Sequence, residues 1–176
     1  AADVGVQAAW LALAIGVAAV PILVFGARPA AHAMGASDDV IEHAVTYLQI
    51  SALGIPFVVV GLAAQGVQRG ASDFRSSLVV LGAANVVNLL LELVLVFVFD
   101  LGVAGAAWST VVAQALAGAS LWWATLRHLG AVRTRRPAWG EMKPLLVAGR
   151  HLLLRVGAML GVFTGATAIA ARVDDP

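Results

Sequence analysis

No cysteine occurs in the 176 residues, so the chain has neither a disulfide framework nor thiol chemistry. Charge is scarce too: Asp, Glu, Lys and Arg make up 12%, about half the share usual in soluble domains. A soluble domain of this size would lack the side chains to cover its surface. No segment alternates polar and apolar residues with period two, and no helical stretch keeps a polar face, which disfavours soluble β and α/β folds. No glycine run ends in Gly-Lys-Ser/Thr, which removes a phosphate loop. No Ser/His/Asp arrangement has support. His32, His43, His128 and His151 are scattered without metal-ligand spacing, so no metal site is expected. No charged n-region precedes the first apolar run, and Ala1 opens without methionine, so no secretory signal is visible.

What the chain has is apolar length. Hydrophobic residues make up 61%, and the mean hydropathy is +0.92. A membrane helix needs about 20 mainly apolar residues. Five segments qualify: Val4–Ala27, His43–Gln68, Ser77–Phe99, Val103–Leu126, and one from Pro144 or Ala148 to Ala171. The fold class expected is therefore all-α integral membrane, with five transmembrane helices. Arg28–Glu42 reads as the first connection, with Ser37 or Asp38 as the N-cap of the second helix. Pro56 removes a backbone donor inside the second segment, so a kink or hinge is expected there. Asp73 and Arg75, in the short polar turn after that segment, are close enough in sequence to pair locally.

Basic residues orient the spans. The connection after the second carries Arg69 and Arg75, and the one after the fourth carries Arg127, Arg133, Arg135, Arg136 and Lys143. The connection after the first has only Arg28, and the third has no basic residue. The positive-inside rule makes the second and fourth connections cytoplasmic. Trp10, Trp122, Trp123 and Trp139 fall near that interface and Trp108 near the other, where amphipathic rings belong. The cluster at 133–136 is accordingly a topology determinant facing anionic lipid, and no nucleic-acid partner is expected.

Glu92 lies inside the third span, away from both ends. An acid near a helix centre costs about 2.5–3.5 kcal/mol on insertion scales. It is tolerated if it faces a cavity, is protonated or has a partner. Asn88 is four residues earlier on the same helix face, and Asn85 is near it. Such a group suits a proton or cation carrier; the plainer alternative is a protonated acid that joins helices by a hydrogen bond. Thr110 and Gln114, one turn apart on the fourth span, either line a site with Glu92 or bond to the backbone one turn back. The small residues of 102–107, and Gly157, Gly161 and Gly165 in the fifth span, are packing signals.

Several passages in order resemble the multidrug and toxic compound extrusion (MATE) transporters, particularly the DinF-like branch. They are Gly5-Val6-Gln7-Ala8-Ala9-Trp10, the loop Met34-Gly35-Ala36-Ser37 leading to Ala44–Leu48, Leu53-Gly54-Ile55-Pro56, and Gln65–Gly70 followed by Asp73. Then come Ala84-Asn85-Val86-Val87-Asn88 with Glu92, and Gly102–Ala107 with Ser109-Thr110. The resemblance covers nearly the whole chain. It implies a twelve-helix transporter of two lobes, of which this is a central fragment. Residues 1–126 would be four helices of the N-terminal lobe, 127–143 the cytoplasmic basic link between lobes, and 144–176 the first helix of the C-terminal lobe. It implies antiport of organic cations or drugs against protons or sodium across the cytoplasmic membrane, with no cofactor beyond the coupling ion and no enzymatic activity. Partners would be the bilayer, small amphipathic or cationic substrates and the rest of the polypeptide. The family's N-lobe cation site maps onto Asn88, Glu92 and Thr110, with Glu here in place of Asp; Asn85 and Gln114 are secondary polar lining. Alternatives are a lipid-linked saccharide flippase, for which mid-membrane cations are too few, a membrane-embedded enzyme, which would need a second deep acid, and a structural assembly subunit.

The orientation is checked with single cysteines at Ser72 and Leu101 in a full-length protein otherwise free of cysteine. An impermeant maleimide added to intact cells is expected to label position 101 and to spare position 72.

Overall fold

The computed structural model describes residues 2–33, 37–129, 137–140, 142–147 and 149–150. They belong to two compact units, Ala1–Pro137 and Ala138–Pro176. The first unit contains α1 (Ala2–Ala33), α2 (Asp38–Ala52), α3 (Ile55–Gly70), α4 (Phe74–Leu93) and α5 (Gly102–Leu129), and a π-helical turn at Val94–Val98 prolongs α4. In the second unit, residues 139–140, 142–147 and 149–150 are helical, and the Met142 N–H donates to the Ala138 carbonyl at 3.2 Å. No strand occurs among the described residues. The fifth expected span, with Gly157, Gly161 and Gly165, lies almost wholly outside them, as do residues 130–136 of the basic stretch.

Asp3–His32, Phe74–Val98 and Gly102–Arg127 are each long and apolar enough to cross a membrane, and the bent pair α2–α3 supplies a fourth crossing. The chain is an all-α, multi-pass membrane protein. Lipid cannot satisfy a backbone N–H or C=O, which is why the polar main chain is spent almost entirely within helices.

The helices overrun the expected boundaries. α1 runs through Pro21, past Ala27 and through Pro29 to Ala33, and α2 begins at Asp38. Each proline forfeits one intrahelical bond, a loss the surrounding turns tolerate. Ala27 and Ala31 of α1 pack on Ile41 and Val45 of α2, and Arg28 pairs with Glu42 at 2.6 Å across the same contact. Ser37 is the N-cap by backbone position: its carbonyl accepts from Val40 and Ile41, while its side chain makes no capping bond.

The expected kink is a full break. α2 ends at Ala52, α3 starts at Ile55, and their axes differ by 49°. Pro56 occupies the first turn of α3, where a missing N–H costs nothing, but its ring opposes the carbonyl four residues back and keeps α2 from running on.

α3 lies between α1 and α5, with very close backbone approaches on both sides. A Cβ on Gly16 would fall 2.6 Å from Pro56 Cα, and one on Gly118 would fall 2.5 Å from the Phe57 carbonyl oxygen. At its other end α3 is tied by polar bonds. The Gln68 side chain, buried, donates to the Leu121 carbonyl at 3.1 Å and to Thr125 Oγ1 at 3.2 Å, and accepts from Ser77 Oγ. Thr125 in turn donates to Leu121 at 2.8 Å. One amide therefore joins the ends of α3 and α5 to the start of α4. Asp73 caps α4 by accepting from the Ser76 N–H at 3.1 Å.

Gly118→Ala is expected to destabilise the protein by about 1–3 kcal/mol, because the new methyl meets backbone that cannot yield locally. Gly82 has nothing within 4 Å of its would-be Cβ, so Gly82→Ala is expected to be neutral or stabilising by up to about 1 kcal/mol. Thermal unfolding of the two variants in detergent checks the contrast.

Candidate functional site

α4 has no buried residue and leans on α5 along one side. Between them is a cleft of about 220 Å³. Leu81, Ala84, Asn85 and Asn88 face Thr110, Ala113, Gln114 and Ala117 across it. The spacing explains the set: 81, 84, 85 and 88 form one stripe of an α-helix, as do 110, 113, 114 and 117. Four of the five polar residues singled out in these two spans thus line one cleft. Glu92 is half-buried one turn beyond Asn88 on α4, outside that lining.

The oxygens differ in their commitments. Thr110 Oγ1 donates to the Ala106 carbonyl at 2.9 Å, which uses its proton and leaves its lone pairs free of that bond. Asn85, exposed, donates from Nδ2 to the Leu81 carbonyl at 2.9 Å. Asn88 Oδ1 and Gln114 Oε1 are buried and accept no hydrogen bond. A buried carbonyl oxygen left this way costs about 1–3 kcal/mol. Asn88 Oδ1 belongs to the cleft, whereas Gln114, which also lines it, turns its Oε1 towards Gly54 at the break between α2 and α3. The polar groups of this lining are neutral: amide and hydroxyl oxygens that could ligate a small cation, beside amide N–H groups that could not. Among the described residues, no three His, Asp or Glu side chains come together as a metal-binding group.

Beyond Glu92 the helix widens into the π-helical turn, closed by the Phe99 N–H on the Val94 carbonyl at 3.1 Å. α5 starts close against it: a Cβ on Gly105 would lie 3.0 Å from the Leu95 carbonyl. That contact uses one of the small residues expected to permit close approach.

A second, larger cavity of about 480 Å³ lies between α1, α3 and α5. Trp10 and Trp122 line it, with Pro56 and Phe57 at the break and Leu126 beyond. Trp10 near the start of α1 and Trp122 near the end of α5 therefore share one end of the helix group. Close by on α5, the Arg127 guanidinium stacks on Trp123, 3.4 Å from the ring centroid. Sequence reasoning missed both this cavity and the Gln68 bonds. The one sequence signal for the latter is a glutamine at the very end of an apolar run, facing Ser77 across a short turn.

Residues 1–94 match the family model described as MatE. Curated relatives extend the similarity through most of the chain. Protein DETOXIFICATION 44, chloroplastic, of Arabidopsis thaliana is 36% identical over 126 residues, 72% of this chain and 24% of its own length. DNA damage-inducible protein F of Escherichia coli is 30% identical over 149 residues, 82% of this chain and 32% of its own. Multidrug export protein MepA of Staphylococcus saprophyticus is 30% identical over 105 residues, 60% of this chain and 23% of its own. The chain thus spans about a quarter to a third of the length of these relatives. No solved structure gives a significant match.

Asn88→Leu replaces a half-buried amide, whose buried oxygen has no partner, by an apolar side chain of similar size. It is expected to leave the thermal stability unchanged or raise it by about 1 kcal/mol, read as the unfolding midpoint in detergent.

Proposed function

Because the chain belongs to the MatE family, we propose that the whole protein is a secondary antiporter that exports organic cations or related amphipathic compounds in exchange for protons or sodium. In this reading the protein sits in the cytoplasmic membrane, and the chain contributes four spans of the N-terminal lobe, the basic link, and the first span of the C-terminal lobe. The observation that carries it is the α4–α5 cleft, where Asn88 Oδ1 is buried without a partner and Thr110 and Gln114 line the facing side.

An antiporter needs a site that is stable empty in one state and stable occupied in another. Unpartnered oxygens are suited to that, since a cation supplies the interaction they lack and its departure returns the cost. Asn88 and Thr110 act as neutral ligands, and Glu92 provides the negative charge one turn along the same helix. Asn85 contributes polar lining at the exposed edge. The break before Pro56 is the hinge about which the second crossing adjusts. The Trp-lined cavity of about 480 Å³ has the size of a small-molecule site and aromatic faces that attract organic cations. One of the relatives is the multidrug export protein MepA of Staphylococcus saprophyticus.

The test uses full-length protein in proteoliposomes, comparing wild type with Glu92→Gln. Efflux of a fluorescent organic cation is followed under a proton gradient and a sodium gradient imposed separately. Gradient-driven efflux is expected to fall at least tenfold in the variant while its unfolding midpoint stays within a few degrees, and the gradient that drives the wild type names the ion. Unchanged efflux in Glu92→Gln would remove Glu92 from the coupling site. Translocation of a labelled lipid-linked saccharide without cation efflux would favour a flippase instead.

A further inference from the structure

Gln114 touches two parts of the molecule. It lines the α4–α5 cleft one turn after Thr110, and its amide also reaches the break between α2 and α3. There Oε1 lies 1.8 Å from the point where a Cβ on Gly54 would stand, and Cδ lies 3.0 Å from it. The amide therefore fills the notch left by the missing side chain of Gly54, the residue from which α3 starts. It gains no hydrogen bond by doing so, because Oε1 is buried and unpartnered. Ser51, in the last turn of α2, buries a hydroxyl oxygen equally without a partner. An unbonded amide on three rotatable bonds is held in the notch by shape alone.

We propose that Gln114 is a movable ligand: its amide oxygen leaves the Gly54 notch to complete the coordination of a sodium-sized monovalent cation by Asn88 and Thr110, and so ties occupancy of the cleft to the bend between α2 and α3. This rests on the cation-site reading above and narrows it. The cleft lining contains amides, a hydroxyl and apolar side chains, with no group that titrates near neutral pH. Such a lining offers carbonyl and hydroxyl oxygens to a metal cation. Three neutral donors match the partial dehydration of a monovalent ion, with Glu92 one turn away to balance its charge. When the amide turns into the cleft the notch empties, and the contact holding Gly54 against α5 is lost. The bend is then free to change. Binding and bending are thereby linked through one side chain, with a differential contact in each state as such a link requires.

Gly54→Ala isolates the effect. Gly54 has φ −79° and ψ −20°, helical values that alanine adopts without strain, and the atom the new methyl strikes is the flexible end of Gln114. The substitution evicts the amide and leaves the backbone in place. The experiment measures sodium binding by titration calorimetry in a choline background, on full-length protein in detergent. The bend is read in parallel as the distance between spin labels at Val40 and Leu62, both exposed. Gly54→Ala is expected to bind sodium at least threefold more tightly, and Gln114→Leu at least tenfold more weakly. The double variant should match Gln114→Leu, because the notch matters only through the amide. Sodium should shift the label distance in the wild type and not in Gln114→Leu. Gln114→Asn, which keeps the amide but cannot reach the notch, should also lose the shift, and it replaces the leucine variant if that one fails to fold. Affinities within twofold of wild type in Gly54→Ala and Gln114→Leu, with binding abolished in Asn88→Leu, would overturn the role of Gln114 and leave the cation site standing. A wild type that binds no sodium, yet exports under a proton gradient, overturns the sodium ligand set and leaves antiport standing.

Discussion

Lipid offers no hydrophobic reward for bringing two helices together, so a membrane helix stays beside its neighbour through the closeness of their backbones and a few polar bonds. α3 is where this chain concentrates both. Gly16 admits Pro56 from one side and Gly118 admits the Phe57 carbonyl from the other, each at a distance where no Cβ fits. Gln68 then fastens the far end to α4 and α5. The remaining helices are arranged around that contact. α1 and α5 take their places from α3, α2 is set by the break that ends it, and α4 is left outermost, in contact with α5.

The same constraint explains where the polar residues are. Within an apolar helix a side-chain oxygen has three outlets: its own backbone, another helix, or a cavity. Ser109, Thr110 and Asn85 take the first, each bonding to a carbonyl three or four residues back. Gln68 and Thr125 take the second. Asn88 and Gln114 are left with the third, and their oxygens are the ones that carry a functional argument.

Much of this was legible in the residues and some was not. Apolar length and the proline at 56 announced four crossings and the bent one, since both act locally and leave a local trace. Asn85, Asn88, Thr110 and Gln114 could be grouped because helical periodicity puts each pair on one face, though not that Glu92 would stand one turn outside their cleft. The Gln68 bonds join positions 53 and 57 residues apart, and Gly54 meets Gln114 from a helix far along the chain; no periodicity encodes such pairings. Pro29 marked a connection too early, because a helix end stabilised by contacts with α2 and by Arg28–Glu42 carries on through a residue that would stop it in isolation.

A helix pinned at one end and jointed at the other makes the second crossing a lever. α3 is its fixed arm and α2, 15 residues long, the arm held by its packing on α1. At 1.5 Å per residue the α2 arm measures about 22 Å, so a rotation of about 10° at the joint sweeps its tip through about 4 Å. That travel far exceeds the reach of the 2.6 Å pairing between Arg28 and Glu42 near the tip. The pairing is solvent-exposed and therefore worth at most about 1 kcal/mol, so it resists such a swing only weakly. The resistance to such a swing therefore rests on the packing of Ile41 and Val45 against Ala27 and Ala31.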